Sequence, residues 1–85
     1  MSYEITVCKA AQRQWHKLPA KIRARIGKAL LALEEEPRPG GVIKLKGAVD
    51  RWRIRVGNYR IIYRIDDNEK SVVVLVIAHR REAYR

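Results

Sequence analysis

Tyr3, Ile5 and Val7 alternate with Glu4, Thr6 and Cys8, a period of two that predicts a half-buried strand over residues 3–8. The period then lengthens. Ala11, Trp15 and Leu18 fall at i, i+4 and i+7, the apolar stripe of a short helix over residues 9–17. Pro19 interrupts it, because the residue before a proline is pushed out of α geometry. Pro19 itself suits the first position of a new helix, where its missing N–H costs nothing. Ile22, Ile26, Ala29, Leu30 and Leu33 recur at helical spacing through Glu36, with Lys21, Arg25 and Lys28 on the opposite face. Pro37-Arg38-Pro39-Gly40-Gly41 is expected to end that helix. From Val42 the period returns to two. Trp52, Ile54 and Val56 alternate with Arg51, Arg53 and Arg55, and Tyr59, Ile61, Tyr63 and Ile65 alternate with Arg60, Ile62 and Arg64. Gly57-Asn58 between them is a two-residue turn signal, so residues 51–56 and 59–65 form a hairpin. After a second turn at Asp66-Asp67-Asn68-Glu69, Val72 to Ile77 is apolar on both faces, as expected for a central strand covered on both sides. The order β-α-α-β-β-β predicts one α+β domain over residues 1–85. Its helical hairpin packs on a twisted, mainly antiparallel four-stranded sheet.

Composition narrows the class. An apolar fraction of 47% over 85 residues is too high for a disordered tail. The longest apolar run, Val72 to Ala78, is far short of the about 20 residues a membrane helix needs. Met1-Ser2-Tyr3-Glu4 lacks the basic and apolar regions of a signal peptide. A single cysteine, Cys8, forms no internal disulfide, and two histidines make no zinc set. These features lead one to expect a cytoplasmic domain without metal, cofactor or membrane partner. The formal net charge of +10 points to an acidic partner, either nucleic acid or an acidic protein.

The placement of the charge matters more than its size. Lys44, Lys46, Arg51, Arg53, Arg55, Arg60 and Arg64 stand against one acid, Asp50, and the tail adds His79, Arg80, Arg81 and Arg85 against Glu82. Alternation puts Arg51, Arg53 and Arg55 on one face of a strand, and Arg60 and Arg64 on one face of its hairpin partner. Charged strand faces are ordinarily just solvated, but few acids are near in sequence here. Like charges opposite each other on a sheet repel, so this face works against stability unless an anion sits on it. Arginine suits a phosphate because its planar fork grips two oxygens and stays charged. Catalysis further requires a proton carrier. His79 is one candidate, held neutral by adjacent cations. Tyr84 is another, because nearby guanidiniums favour its phenolate. His16, Cys8, Trp15, Trp52, Tyr59 and Tyr63 are assigned structural or core roles.

Three stretches carry a resemblance: Lys44-Leu45-Lys46-Gly47, then Trp52-Arg53-Ile54-Arg55-Val56-Gly57-Asn58-Tyr59-Arg60-Ile61-Ile62-Tyr63-Arg64-Ile65, then Ala78-His79-Arg80-Arg81-Glu82-Ala83-Tyr84. Together with Lys17-Leu18-Pro19 and the first strand, they make essentially the whole chain resemble the RelE/ParE superfamily of bacterial toxins. The resemblance implies, in the RelE-like branch, a metal-independent endoribonuclease that cuts mRNA in the A site of the 70S ribosome. In that reaction the ribose 2′-hydroxyl attacks the neighbouring phosphate. It also implies an acidic cognate antitoxin, and contact with operator DNA only through the antitoxin complex. By motif, Arg60 matches the arginine on the scissile phosphate, Arg80 and Tyr84 match the C-terminal pair, and Arg53, Arg55 and Lys46 match basic binding positions. His79 is a possible partner of Tyr84 in proton transfer, and Lys44, Arg51, Arg64 and Arg81 complete the expected RNA contacts. Some RelE members carry lysines where Arg53 and Arg55 stand. Arginine keeps its proton, so these two are expected to act as electrostatic stabilisers. The alternative branch is ParE-like, with the same fold and gyrase inhibition without RNA cleavage. Its members generally lack the terminal tyrosine, so Tyr84 favours the RelE-like branch. A second alternative is a non-catalytic nucleic-acid-binding module.

Overall fold

A computed structural model describes residues 2–45 and 51–79. The chain forms β1 (Glu4–Val7), α1 (Lys9–His16), α2 (Ala20–Ala32), β2 (Ile43–Lys44), β3 (Arg51–Val56), β4 (Tyr59–Asp66) and β5 (Ser71–His79). Among the described residues the sheet has five strands in the order β1-β5-β4-β3-β2. Among these strands β1 alone runs parallel to its neighbour, with Glu4 beside Ser71 and Val7 beside Val74. The expected four-strand sheet therefore gains one strand, the two-residue β2, which pairs Ile43 with Arg53 and Lys44 with Trp52. Two residues are too few to show a period in sequence.

Period two in β3 and β4 becomes two distinct faces. Ile54, Ile61, Tyr63, Ile65, Val72, Val74 and Ile77 are buried with Ala11, Ile26, Leu30 and Leu33 of the helical layer. At about 25 cal/mol per Å² of apolar area removed from water, this interlayer core is the main stabilising term. Tyr63 is 0% exposed, and its hydroxyl donates to the Pro37 carbonyl at 2.7 Å. The helices meet closely at Gly27, where an added Cβ would lie 3.0 Å from Trp15 Cη2. Trp15 is thereby part of the interlayer packing.

α2 ends at Ala32, four residues before the expected stop. Leu33, Glu34 and Glu35 donate to carbonyls three residues back, tightening the last turn. Glu34-Glu35-Glu36 meets the negative end of the helix dipole, and the Glu34 carbonyl is claimed by Tyr3 N–H at 2.7 Å. The helix therefore closes before the prolines.

β5 also departs from expectation, because the helices cover only one of its faces. Val72, Val74 and Ile77 are buried beneath them, while Val73, Leu75 and Val76 on the other side are half-buried. The register with β4 shifts between Ile62 and Tyr63, so Leu75 is an extra residue in β5. Beyond the end of β1, side chains take over the pairing of β5. Gln14 Oε1 accepts from Ile77 N–H at 2.7 Å, and the Cys8 thiol donates to the Leu75 carbonyl at 3.4 Å.

Candidate phosphate-binding site

The face of the sheet away from the helices gathers the arginines. Hairpin register sets Arg51 directly opposite Arg64 and Arg55 directly opposite Arg60, while Arg53 faces Ile62. Directly opposed Cβ atoms stand about 4.5–5.5 Å apart, so this face holds two cross-strand pairs of like charge. Gly57 makes the arrangement possible. Its φ of +60° at the first central position, with no positive φ at Asn58, is the pattern of a type II′ turn whose twist matches the strands. A left-handed conformation costs a non-glycine residue about 1–2 kcal/mol.

The five arginines are not equivalent. Arg51, Arg55 and Arg64 are exposed, Arg53 is half-buried, and Arg60 is only 9% exposed. Arg60 lies on an inner strand, flanked by Arg55 on β3 and Ala78 on β5. Guanidinium is weakly hydrated among cations and is kept charged by its intrinsic basicity. A buried guanidinium is thus already partly desolvated and held in place before an anion arrives. A cleft of about 460 Å³ is lined by Arg53, Arg55 and Arg60, with Ile54 and Val56, and is closed from the helix side by Ala29 and Ala32. It lies beside the start of β2, where Ile43 pairs with Arg53 and Pro39, Gly40 and Gly41 line the cleft.

The structure brings some expected site residues together and separates others. Arg53, Arg55 and Arg60 line one cleft, with Arg51 and Arg64 further along the same face. Lys44 pairs with Trp52, which places it on the helix side; its Nζ lies 5.7 Å from the Trp52 ring centroid. Lys44 therefore does not join the arginine face. His79 pairs with Tyr59 on the helix side too, with their rings edge-to-face at 5.5 Å. There it borders a separate cavity with Gln14, Lys17 and Leu18. β5 thus turns His79 to the face opposite that of Arg60, so the two are not brought together. Lys46, Arg80, Arg81 and Tyr84 lie outside the described residues.

Sequence reasoning missed two features. Ala29 and Ala32 close the cleft, and only their small size among the leucines of α2 hinted at it. Arg25 of α2 also lies against the hairpin turn, its Nη1 3.4 Å from where a Gly57 Cβ would stand. No sequence period links residues so far apart.

At the other end of the sheet the cations meet acids and rings. Arg38 donates to both carboxylate oxygens of Asp67, at 3.2 and 2.9 Å, and Tyr3 donates to Asp67 at 2.7 Å. These hydrogen bonds, Arg38's first, lower the Asp67 carboxyl to about 2, and the same bond raises Arg38. The Arg38 guanidinium also lies 4.9 Å from the Trp52 ring centroid. Burial raises the Tyr63 phenol well above its ordinary value.

Residues 5–84 match the family described as "ParE toxin of type II toxin-antitoxin system, parDE". The chain is 36% identical over 86 residues to Toxin RelG of Mycobacterium tuberculosis, covering 100% of this chain and 99% of that protein. It is 32% identical over 84 residues to mRNA interferase toxin RelE of Escherichia coli K12, covering 96% of this chain and 86% of that protein. Its fold superposes on the archaeal RelE–RelB complex of Pyrococcus horikoshii OT3 with a TM-score of 0.85 at 32% identity, covering 98% and 100% of the two chains. The intact RelBE toxin–antitoxin complex of E. coli gives 0.80 at 29% identity, covering 92% and 96%. With the helical hairpin on one side of the sheet and the arginines on the other, the chain belongs to the RelE/ParE superfamily of type II toxins and is of the RelE type.

Proposed function

We propose that this toxin is a ribosome-dependent mRNA endoribonuclease that cleaves through attack of a ribose 2′-hydroxyl on the adjacent phosphate. The observation that carries the reading is Arg60, a cation only 9% exposed, at a cleft it shares with Arg53 and Arg55. In-line attack on a phosphodiester builds negative charge on the non-bridging oxygens. Preorganised guanidiniums stabilise that charge without having to reorient, which is how electrostatic catalysis lowers a barrier. The bond from the 2′-oxygen to phosphorus forms as the bond to the 5′-oxygen breaks, leaving a 2′,3′-cyclic phosphate and a 5′-hydroxyl. One proton must leave the 2′-oxygen and one must reach the 5′-oxygen.

Arginine does not exchange protons at neutral pH. We assign that work to Tyr84, with Arg80 beside it in the C-terminal motif. His79 is the weaker candidate because β5 turns it to the other face. Arg51 and Arg64 extend the anion path along the sheet. An acidic antitoxin segment seated on the arginine face would relieve the repulsion of its paired arginines, in keeping with RelE-type relatives crystallised with RelB.

Primer extension on cellular mRNA after expression tests the reading. Cuts within translated codons support it. DNA breaks with intact mRNA would establish the gyrase-inhibiting branch instead, and neither outcome would leave a binding module. Tyr84→Phe removes only a hydroxyl and is expected to lose at least about tenfold in cleavage, since general acid–base groups supply about 10²–10⁴. Normal cleavage by Tyr84→Phe with loss in His79→Ala would move the proton to His79.

A further inference from the structure

From Ile5 to Leu33 the chain contains no Asp or Glu, yet it carries Lys9, Arg13, Lys17, Lys21, Arg23, Arg25 and Lys28. All but the half-buried Arg23 are exposed. Lys9 and Arg13 are one turn apart on α1, about 6 Å along the axis, as are Lys21 and Arg25 on α2. Acids collect elsewhere. The Tyr3 N–H bonds the Glu34 carbonyl, the Glu4 N–H bonds the Lys70 carbonyl, Arg38 N–H bonds Glu36 and the Tyr3 hydroxyl bonds Asp67. These contacts place Glu4, Glu34, Glu36 and Asp67 around one end of the sheet.

The helical layer lies on the reverse of the sheet from Arg60, so an RNA strand on the arginine face leaves these cations uncovered. Nor does the helical surface resemble a single-strand groove, where aromatic rings stack on bases between cations. Its one indole, Trp15, is packed against Gly27, neither helix holds a Phe or Tyr, and the other ring is the exposed imidazole of His16. Six exposed cations with no free indole, phenol or phenyl ring among them suit the phosphate backbone of an A-form duplex, which is recognised by shape and backbone.

We propose that the outer surface of the α1–α2 hairpin is a second RNA-binding surface. It grips the phosphate backbone of double-helical RNA independently of sequence and acts apart from the arginine face. The proposal concerns binding alone and does not rest on the cleavage reading.

The test is anisotropy of a labelled RNA duplex of about 16 base pairs with the full chain, titrated over a range of KCl. Two variants are compared: Lys9→Gln with Arg13→Gln, Lys21→Gln and Lys28→Gln, and Arg51→Gln with Arg55→Gln and Arg64→Gln. The helix variant is expected to bind at least about tenfold more weakly and to flatten the salt slope by about one unit for each phosphate it no longer neutralises. The sheet variant should weaken duplex binding by a clearly smaller factor than the helix variant does. Should the fourfold variant lose its helical circular dichroism, Lys21→Gln with Lys28→Gln carries the same test at about half the slope change. Unchanged affinity and slope in the helix variant would overturn the proposal. So would loss of duplex binding in the sheet variant, or retention of an acidic peptide by a chain that fails to bind the duplex. Failure of cleavage alone leaves this measurement unaffected.

Discussion

At one end of the sheet Arg38 meets Asp67; along the β3–β4 hairpin Arg55 meets Arg60. The first cation has a bidentate carboxylate, a tyrosine sharing that carboxylate and an indole face beside it. The second has another arginine directly across the strand. The same residue type thus meets an acid in one place and a like charge across the strands in the other. Opposed like charges on a rigid sheet become favourable when an anion is present, and folding alone does nothing to select them. Substitutions in the two regions should therefore move activity and stability in separable ways.

The largest expected effect is at Arg60. Arg60→Ala should lower cleavage about a hundred- to thousand-fold, the usual cost of removing one preorganised charge from a transition state. The interlayer core loses no volume, because Arg60 lies on the other face. Cleavage rate and melting temperature measured on the same preparation check both halves. Full toxicity at equal expression would remove Arg60 from the site and dissolve the contrast.

Tyr63→Phe should do the reverse. It deletes the hydroxyl that satisfies the Pro37 carbonyl at 2.7 Å and leaves a buried acceptor unpaired, at about 1–3 kcal/mol. Denaturant unfolding is the measurement, and the cleavage of the folded fraction should be unchanged. The pH dependence has a definite sign. Tyr63 keeps its proton in the folded state above the ordinary tyrosine value of 10, whereas the unfolded chain releases it. Stability is therefore full below pH 10 and is lost as pH rises past it. In Tyr63→Phe that alkaline loss should shrink.

A smaller effect of opposite sign is expected at Arg64. It stands exposed and directly opposite Arg51, so Arg64→Thr should raise stability by about 0.2–1 kcal/mol while weakening RNA binding. A lower melting temperature would mean that Arg64 has a structural role on that face.

The faces were legible in sequence because β3 alternates strictly and β4 does so except at Ile62, and each is covered by helices on one side only. Arg51 to Val56 therefore declared both its strand and its arginine face. β5 was less legible. In a run of uniformly apolar residues a bulge at Leu75 leaves no mark, and neither does the exposure of one face. His79 shows the consequence: adjacency to Arg80 suggested one site, but parity along β5 assigns it to the helix side with Tyr59. Lys44 shows the same limit at an edge, because β2 is too short for its pairing with Trp52 to be read. The Arg38–Asp67 pair spans 29 residues and joins two turns, where no periodic signal exists.

The smallest expected effect sharpens the comparison from its paired end. Asp67 is exposed, so salt screens its attraction to Arg38. Asp67→Asn should lower the melting temperature slightly at low ionic strength and leave it nearly unchanged at high ionic strength, with cleavage unaffected. The acid titration follows the same logic. The folded-state carboxyl lies at about 2, below the ordinary value of 3.8, so the unfolded chain takes up the proton first as pH falls. The pair's contribution is present above about pH 4 and is lost as pH drops toward 2. Asp67→Asn should therefore show a shallower loss of stability between those values than the parent chain. An identical acid profile in the two proteins would show that Arg38 gains its hold from the Trp52 ring alone, and the contrast would then rest on stacking in place of charge pairing.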